Sequence, residues 1–343
     1  TADSNTSAAR PSASATSATT SLGRCSKPAD SDPRYTLVRE EPFIHTYPLV
    51  PHLEALPRRL VDVDTDPETV SASCHDGPMD DDFLKSMGFP ASWEETYDLL
   101  DDDKLKSLAR NERFDHLLVY ADPSGASVCM FETSEGFSTE TFTVSGHERV
   151  PAEVWQVWPG TAEVNVLDEQ GELITRVLAF VDDPHMYPWY PLKDVGEPAR
   201  FDGYRMGAIA VDVAVFDTVD AWRESQTPII TAGAPVHDPV AGLPDEMFLG
   251  PTFVTSPWLF ALYSGDETAD NASPISIFKA VCERVETVTN ALTGQQWYRI
   301  DADCGFPVTV ALPLGITPTP REGSVIDGKA FLTGTTGFWT DLA

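Results

Sequence analysis

The stretch AEVNVLDEQGELITRVLAFVDD, residues 162–183, constrains the fold most. Val164 and Val166 alternate with Glu163 and Asn165, the period of two that a half-buried strand requires. Asp168–Gly171 then supplies turn residues and a second apolar run follows, so the spacing predicts a hairpin. HLLVYADPSGASVCMFE, residues 116–132, repeats the pattern around Asp122-Pro123-Ser124-Gly125. Connections this short force antiparallel pairing. GAIAVDVAVF, residues 207–216, is nearly unbroken apolar sequence, as a strand buried on both faces would be. Further strands are expected at 297–303, 307–312 and 323–334.

Helices are fewer. Met79, Phe83 and Met87 sit at i, i+4 and i+8 before Gly88, which predicts one helix. Ser92 and Glu95 have capping-box spacing ahead of Trp93, Tyr97, Leu100, Leu105 and Leu108, which predicts a second. The longest prediction runs from Ser273 as N-cap and Pro274 as first residue to Gly294 as stop. Its stripe is Phe278, Val281, Cys282, Val285, Val288 and Leu292. The expected class is α+β: mainly antiparallel sheets, a few packed helices and no βαβ alternation.

A chain of 343 residues is long enough for two domains. Polar PLKDVGEPARFDGYR suggests a linker at 192–205 between an N-terminal α+β domain at 33–191 and a C-terminal one at 206–343. Residues 1–32 hold 8 Ser, 5 Thr and 7 Ala with one large aliphatic residue, Leu22. Such a segment buries too little apolar surface to order, so a disordered leader is expected there. It resembles what stands ahead of a folded domain on an exported chain, which places the protein outside the cell or in its envelope. The alternative is the cytoplasm of an organism with an acidic proteome.

The net charge is −31, and residues 60–103 hold 14 acids against one base, Lys85. Such a surface repels phosphates and anionic headgroups, so neither nucleic acid nor membrane is the expected partner. No apolar run is long enough for membrane insertion. Export would permit disulfides Cys74–Cys129 and Cys282–Cys304, with Cys25 left over. Free thiols are the other reading.

Nucleotide, zincin and hydrolase signatures (GxGxxG, GxxxxGK[ST], HExxH, GxSxG) do not occur. No cofactor or metal is implied: Asp62–Asp66 starts like a calcium loop but has Pro67 where glycine is needed. Candidate chemistry rests on single residues. Asp212 interrupts an apolar strand between Ala210 and Ala214, where a carboxylate must be paired or protonated. Asp183 and His185 could form a base with its orienting partner. Tyr187, Trp189, Tyr190 and the loop residue His237 could line a ligand site. Two functions fit. One is a non-catalytic protein binding a protein, small-molecule or glycan ligand. The other is a hydrolase using Asp212, Asp183 and His185 in an interdomain cleft.

Overall fold

The structure, a computed structural model, describes residues 81–108, 110, 113–189, 196–230 and 246–341. The leader at 1–32 and the acidic stretch before Asp81 lie outside the described residues. A 3-10 helix at Asp81–Met87 opens the described chain, followed by α1 (Trp93–Asp98) and a second 3-10 turn at Asp102–Lys104. The predicted capping box is real in part: the Ser92 hydroxyl accepts from Glu95 N at 3.4 Å. The helix ends ten residues before Leu108, because three consecutive aspartates at 101–103 interrupt the apolar spacing.

Four strands form the first sheet as an antiparallel meander: β1 (Lys106–Leu108), β2 (Phe114–Ala121), β3 (Ala126–Thr133) and β4 (Ser138–Val144). β5 (Val150–Trp158), β6 (Thr161–Leu167), β7 (Leu173–Val181) and β8 (Ala199–Phe216) follow. Next come α2 (Val219–Ser225), β9 (Ile229–Ile230), β10 (Glu246–Met247), β11 (Phe253–Thr255) and α3 (Pro257–Ser264). β12 (Ile275–Thr289), β13 (Gln296–Asp303), β14 (Pro307–Pro313), β15 (Val325–Thr335) and α4 (Phe338–Asp341) complete the chain. Both predicted hairpins are present, as β2–β3 and β6–β7.

The second sheet has nine strands in the order β11-β12-β13-β14-β8-β15-β7-β6-β5. Two extra ladders, β12–β15 and β5–β8, close it into two rings that share β8 and β15. Closure leaves the ring strands without free edges. Most ladders are antiparallel, with β14–β8 and β15–β7 parallel. The architecture is thus sheet-rich, with few helices. Residues 199–205, expected in a linker, are the start of β8, which pairs with β5 on one side of that boundary and with β15 on the other. The described residues all belong to one compact unit, Pro51–Ala343.

The longest predicted helix is a strand. Residues 275–289 form β12, and a bulge lies between Cys282 and Arg284. Phe278, Ala280 and Cys282 face the core in steps of two; the extra residue then makes Val285 the next to do so. That three-residue step imitated helical spacing. Seven of its fifteen residues are β-branched, which suits a pleated strand better than a helix.

The main core fills the rings, with Val164, Val177, Met206, Phe278, Val310 and Leu332 fully or almost fully buried. A second cluster packs the opening 3-10 helix (Leu84, Met87) and the first sheet (Val128, Val144) onto Ile209, Trp297 and Ala311 of the nine-stranded sheet. A third joins Phe114, Leu117 and Cys129 of the first sheet to Trp339 of α4. Among the described residues, no helix is long and apolar enough to cross a membrane. Cys129, Cys282 and Cys304 are free buried thiols, so the expected Cys282–Cys304 bridge is not formed; Cys74 lies outside the described residues.

Candidate functional site

The segment leaving β7 is Asp182-Asp183-Pro184-His185-Met186-Tyr187. Pro184–Met186 make a single 3-10 turn with proline at its start, a position that needs no N–H. Met186 N donates to the Asp183 carbonyl at 2.9 Å. Three neighbours fasten the segment. Arg113, just before β2, donates to the His185 carbonyl at 2.8 Å and the Tyr187 carbonyl at 2.7 Å. Gln156 N of β5 donates to the Pro188 carbonyl at 2.8 Å. Trp339 Nε1 of α4 donates to the Asp182 carbonyl at 2.6 Å.

Both acids are buried. Asp183 Oδ1 accepts from the Tyr187 hydroxyl, and its Oδ2 accepts from Thr336 N at 2.8 Å and from the Thr336 hydroxyl. Asp182 Oδ2 accepts from the Thr143 hydroxyl at 2.8 Å. Tyr187 and Tyr204 of β8 meet hydroxyl to hydroxyl at 3.1 Å. Tyr204 can lie there because Gly334 of β15 carries no side chain: a Cβ would stand 2.4 Å from the tyrosine oxygen.

Burial is the first cause of the electrostatics here. Burial and then the Asp183 charge push the Asp182 carboxyl up to about 7; the Thr335 and Thr143 hydroxyls oppose this only in part. Burial likewise raises Asp183, against the donors from Thr336 and Tyr187. Burial, with Asp182 and Asp183 beyond it, holds the Cys129 thiol well above its usual range. His185 goes the other way, down to about 4, through burial and then the Arg113 charge. Its two ring nitrogens are buried and have no hydrogen-bond partner among the described residues. The ring lies edge-on to Phe338 at 4.7 Å between centroids and to Trp339 at 5.9 Å.

The structure brings together Asp183, His185, Tyr187 and, at the rim, Trp189. Trp189 pairs with Gln156 in an isolated bridge and lies 6.0 Å from the Arg113 guanidinium. Tyr187 is 1% exposed and packs edge-on to Phe201, so it is core and offers no face to a ligand. Asp212 is elsewhere. It is exposed and pairs with Lys329, seven residues before Thr336, on the order of 20 Å along the strand. The β8 ladder shifts register between Lys329 and Ala330, leaving Val211 unpaired. Met206, Ala208 and Ala210 face the core before that bulge, and Val213 and Val215 after it. Ala210 and Asp212 therefore point to opposite faces, the reverse of the sequence expectation. Tyr190 and His237 lie outside the described residues.

Arg113, Thr143, Tyr204, Thr336 and Trp339 are the residues that sequence reasoning missed. None carries a local signal, since their partners stand 17 to 157 residues away. Among the described residues, no group of three His, Cys, Asp or Glu side chains converges as a metal would need. A described cleft of about 420 Å³ is lined by Lys85, Phe89, Glu95, Gln296 and Leu314, with no residue from 182–191. The chain matches no protein-family model, no curated protein and no solved structure.

Proposed function

We propose that the chain is a non-catalytic binding protein that recognises a partner with a basic surface, acting outside the cytoplasm or at the cell envelope. The observation that carries this reading is the condition of Asp183. Both of its oxygens already accept hydrogen bonds from Tyr187 and Thr336, and neither His185 nor Asp212 reaches it. A general base has to reach the proton it removes, directly or through one water. The hydrolase alternative needs Asp212, Asp183 and His185 as one relay and lacks that geometry.

The net charge of −31 supports a basic partner, since a surface field of one sign steers the opposite sign toward it. The Ser/Thr/Ala-rich composition of residues 1–32 supports the location. Two measurements on the full chain test the reading. Chromogenic esters, glycosides and phosphate monoesters are expected to turn over no faster than in buffer. Labelled poly-lysine is expected to bind saturably, and to weaken about tenfold or more from low to high salt. Turnover that Asp183→Asn abolishes would overturn the reading, as would poly-lysine that fails to bind.

A further inference from the structure

The helix α3 is apolar on every side: its sequence is PWLFALYS. A helix with no polar face ordinarily lies inside a core, since each of its sides favours leaving water. Here Leu259 is the one buried residue of the eight. Phe260 is 44% and Tyr263 49% exposed, and Trp258 and Leu262 are half-buried. Phe260 and Tyr263 stand at i and i+3, so they are neighbours on the helix surface.

The exposed face is held in place from several sides. Ser256, the buried N-cap, accepts from Leu178 N of β7 at 3.2 Å, and its hydroxyl meets that of Ser276 of β12 at 2.8 Å. Leu259 packs with Val157 of β5 and Leu178. The Tyr263 hydroxyl donates to Glu163 Oε1 of β6 at 2.8 Å. Gly265, in the left-handed region at φ 75, ends the helix, and Asp266 N closes on the Ala261 carbonyl at 3.0 Å. Aromatic side chains on a fixed element lose little freedom on binding, so more of their burial appears as affinity.

The charge around the helix selects its occupant. From Glu224 to Phe278 the chain has seven acids and no lysine or arginine. Three of the acids, Asp266, Glu267 and Asp270, follow the helix directly, and Asp266 and Asp270 are exposed. Among the described residues none of these three has an ion-pair partner. An anionic membrane or an acidic partner is repelled there. A second copy, docked face to face, would set the same acids against each other. A cationic partner with an apolar strip meets both the aromatics and the acids.

We propose that the exposed face of α3 docks a basic amphipathic helix of the partner. Phe260 and Tyr263 bury against the partner's apolar side chains, which recur at i, i+3 and i+4. Asp266 and Asp270 face the lysines or arginines that flank that strip. The aromatic contact supplies most of the affinity, and the acids supply the rate of approach and the orientation. The inference rests on the basic-partner reading above and adds which surface binds and what the partner presents besides charge.

The test titrates the full chain against two labelled peptides of equal charge. One is a leucine–lysine peptide of about fourteen residues patterned as an amphipathic helix, and the other has alanine at each leucine. The leucine peptide is expected to bind at least about tenfold more tightly. Phe260→Ser is expected to remove that advantage while leaving the alanine peptide unchanged, and Phe260→Leu to keep most of it. Tyr97→Ser, at an exposed tyrosine of α1, is expected to alter neither peptide. Replacing Asp266 and Asp270 together by Asn is expected to weaken both peptides about threefold at low salt. Equal binding of the two peptides removes this inference and leaves the basic-partner reading standing. Failure of both to bind removes the two together. An advantage that survives Phe260→Ser overturns the docking site. So does Phe260-dependent binding to phosphatidylcholine vesicles, or Phe260-dependent self-association, since either gives the face another occupant.

Discussion

Asp122 and Asp183 are the same dipeptide in two settings. Each is buried at the end of a strand, each precedes proline and each accepts from a tyrosine hydroxyl, Tyr120 or Tyr187. Asp122 receives in addition two backbone donors, Ser124 N at 2.8 Å on Oδ1 and Ala291 N at 2.8 Å on Oδ2. Each of its oxygens therefore faces an N–H that can only donate. Asp183 has its one backbone donor and the Thr336 hydroxyl on Oδ2, and only the reversible Tyr187 hydroxyl on Oδ1. Asp182 stands beside it, and the Asp183 charge adds to burial in pushing the Asp182 carboxyl up. Fixed dipoles on both sides lock the Asp122 carboxyl in place. Asp183 is an anion that its surroundings tolerate poorly.

Exchanging each acid for its amide breaks or sharpens that contrast most strongly. Asp122→Asn turns an NH2 toward either Ser124 N or Ala291 N and orphans a buried donor, at a cost of about 2 kcal/mol. Asp183→Asn can keep Thr336 on its oxygen and direct its NH2 at Tyr187, whose own hydroxyl turns to Tyr204. It also removes one charge of the buried pair. Urea unfolding above neutral pH is expected to show Asp183→Asn neutral or stabilising while Asp122→Asn destabilises. Equal losses would mean that the two sites hold their charges in the same way.

The second contrast is in pH dependence. Folding raises Asp182 from 3.8 to about 7. Between those values the folded chain holds a proton that the unfolded chain has released. The stability from this group is therefore fully present below about 4 and is lost as the pH rises through about 7. Asp182→Asn keeps an oxygen for Thr143 and removes the titration. Above pH 7 it is expected to stabilise the chain by on the order of 2 kcal/mol, an effect that disappears toward pH 4. Thermal or urea unfolding at several pH values measures this. A destabilised Asp182→Asn above pH 7 would show that Asp182 is held as a favoured anion.

The sequence made the hairpins legible because their alternation runs unbroken between turn residues, at Asp122–Gly125 and Asp168–Gly171. It misled where a single inserted residue changed the phase. The bulge in β12 gave a strand the look of a helix, and Val211 turned Asp212 outward when its alanine neighbours suggested burial. Period counting assumes one uniform element, and a bulge violates that assumption without leaving a glycine or proline to mark it. Asp183 and His185 stood out as residues at a strand end. Their condition did not, because the groups that bury and bond them arrive from Arg113 and Thr336, far along the chain. Tyr187 suggested a stacking platform by its type alone, whereas Tyr204 and Phe201 enclose it.

The smallest expected effect isolates His185 from the acids. Folding lowers its pKa from 6.5 to about 4, so between those values the unfolded chain binds a proton that the folded chain refuses. Its contribution is present above about 6.5 and is lost as the pH falls toward 4, the opposite slope to that of Asp182. Over pH 4.5–6.5 the two slopes partly cancel in the unmodified chain. His185→Phe keeps a ring against Phe338 and Trp339 while removing the titration. Because His185 is only half-buried, solvent screens its share, and the change is expected to be smaller than that of Asp182→Asn. The slope is the decisive reading. His185→Phe leaves the Asp182 slope exposed, so stability should fall as pH rises from 4.5 to 6.5. In Asp182→Asn only Asp183 opposes the histidine slope, so the fall over the same range should be shallower than in His185→Phe or reversed. A steeper fall in Asp182→Asn than in His185→Phe would show that Asp182 and His185 do not titrate against each other.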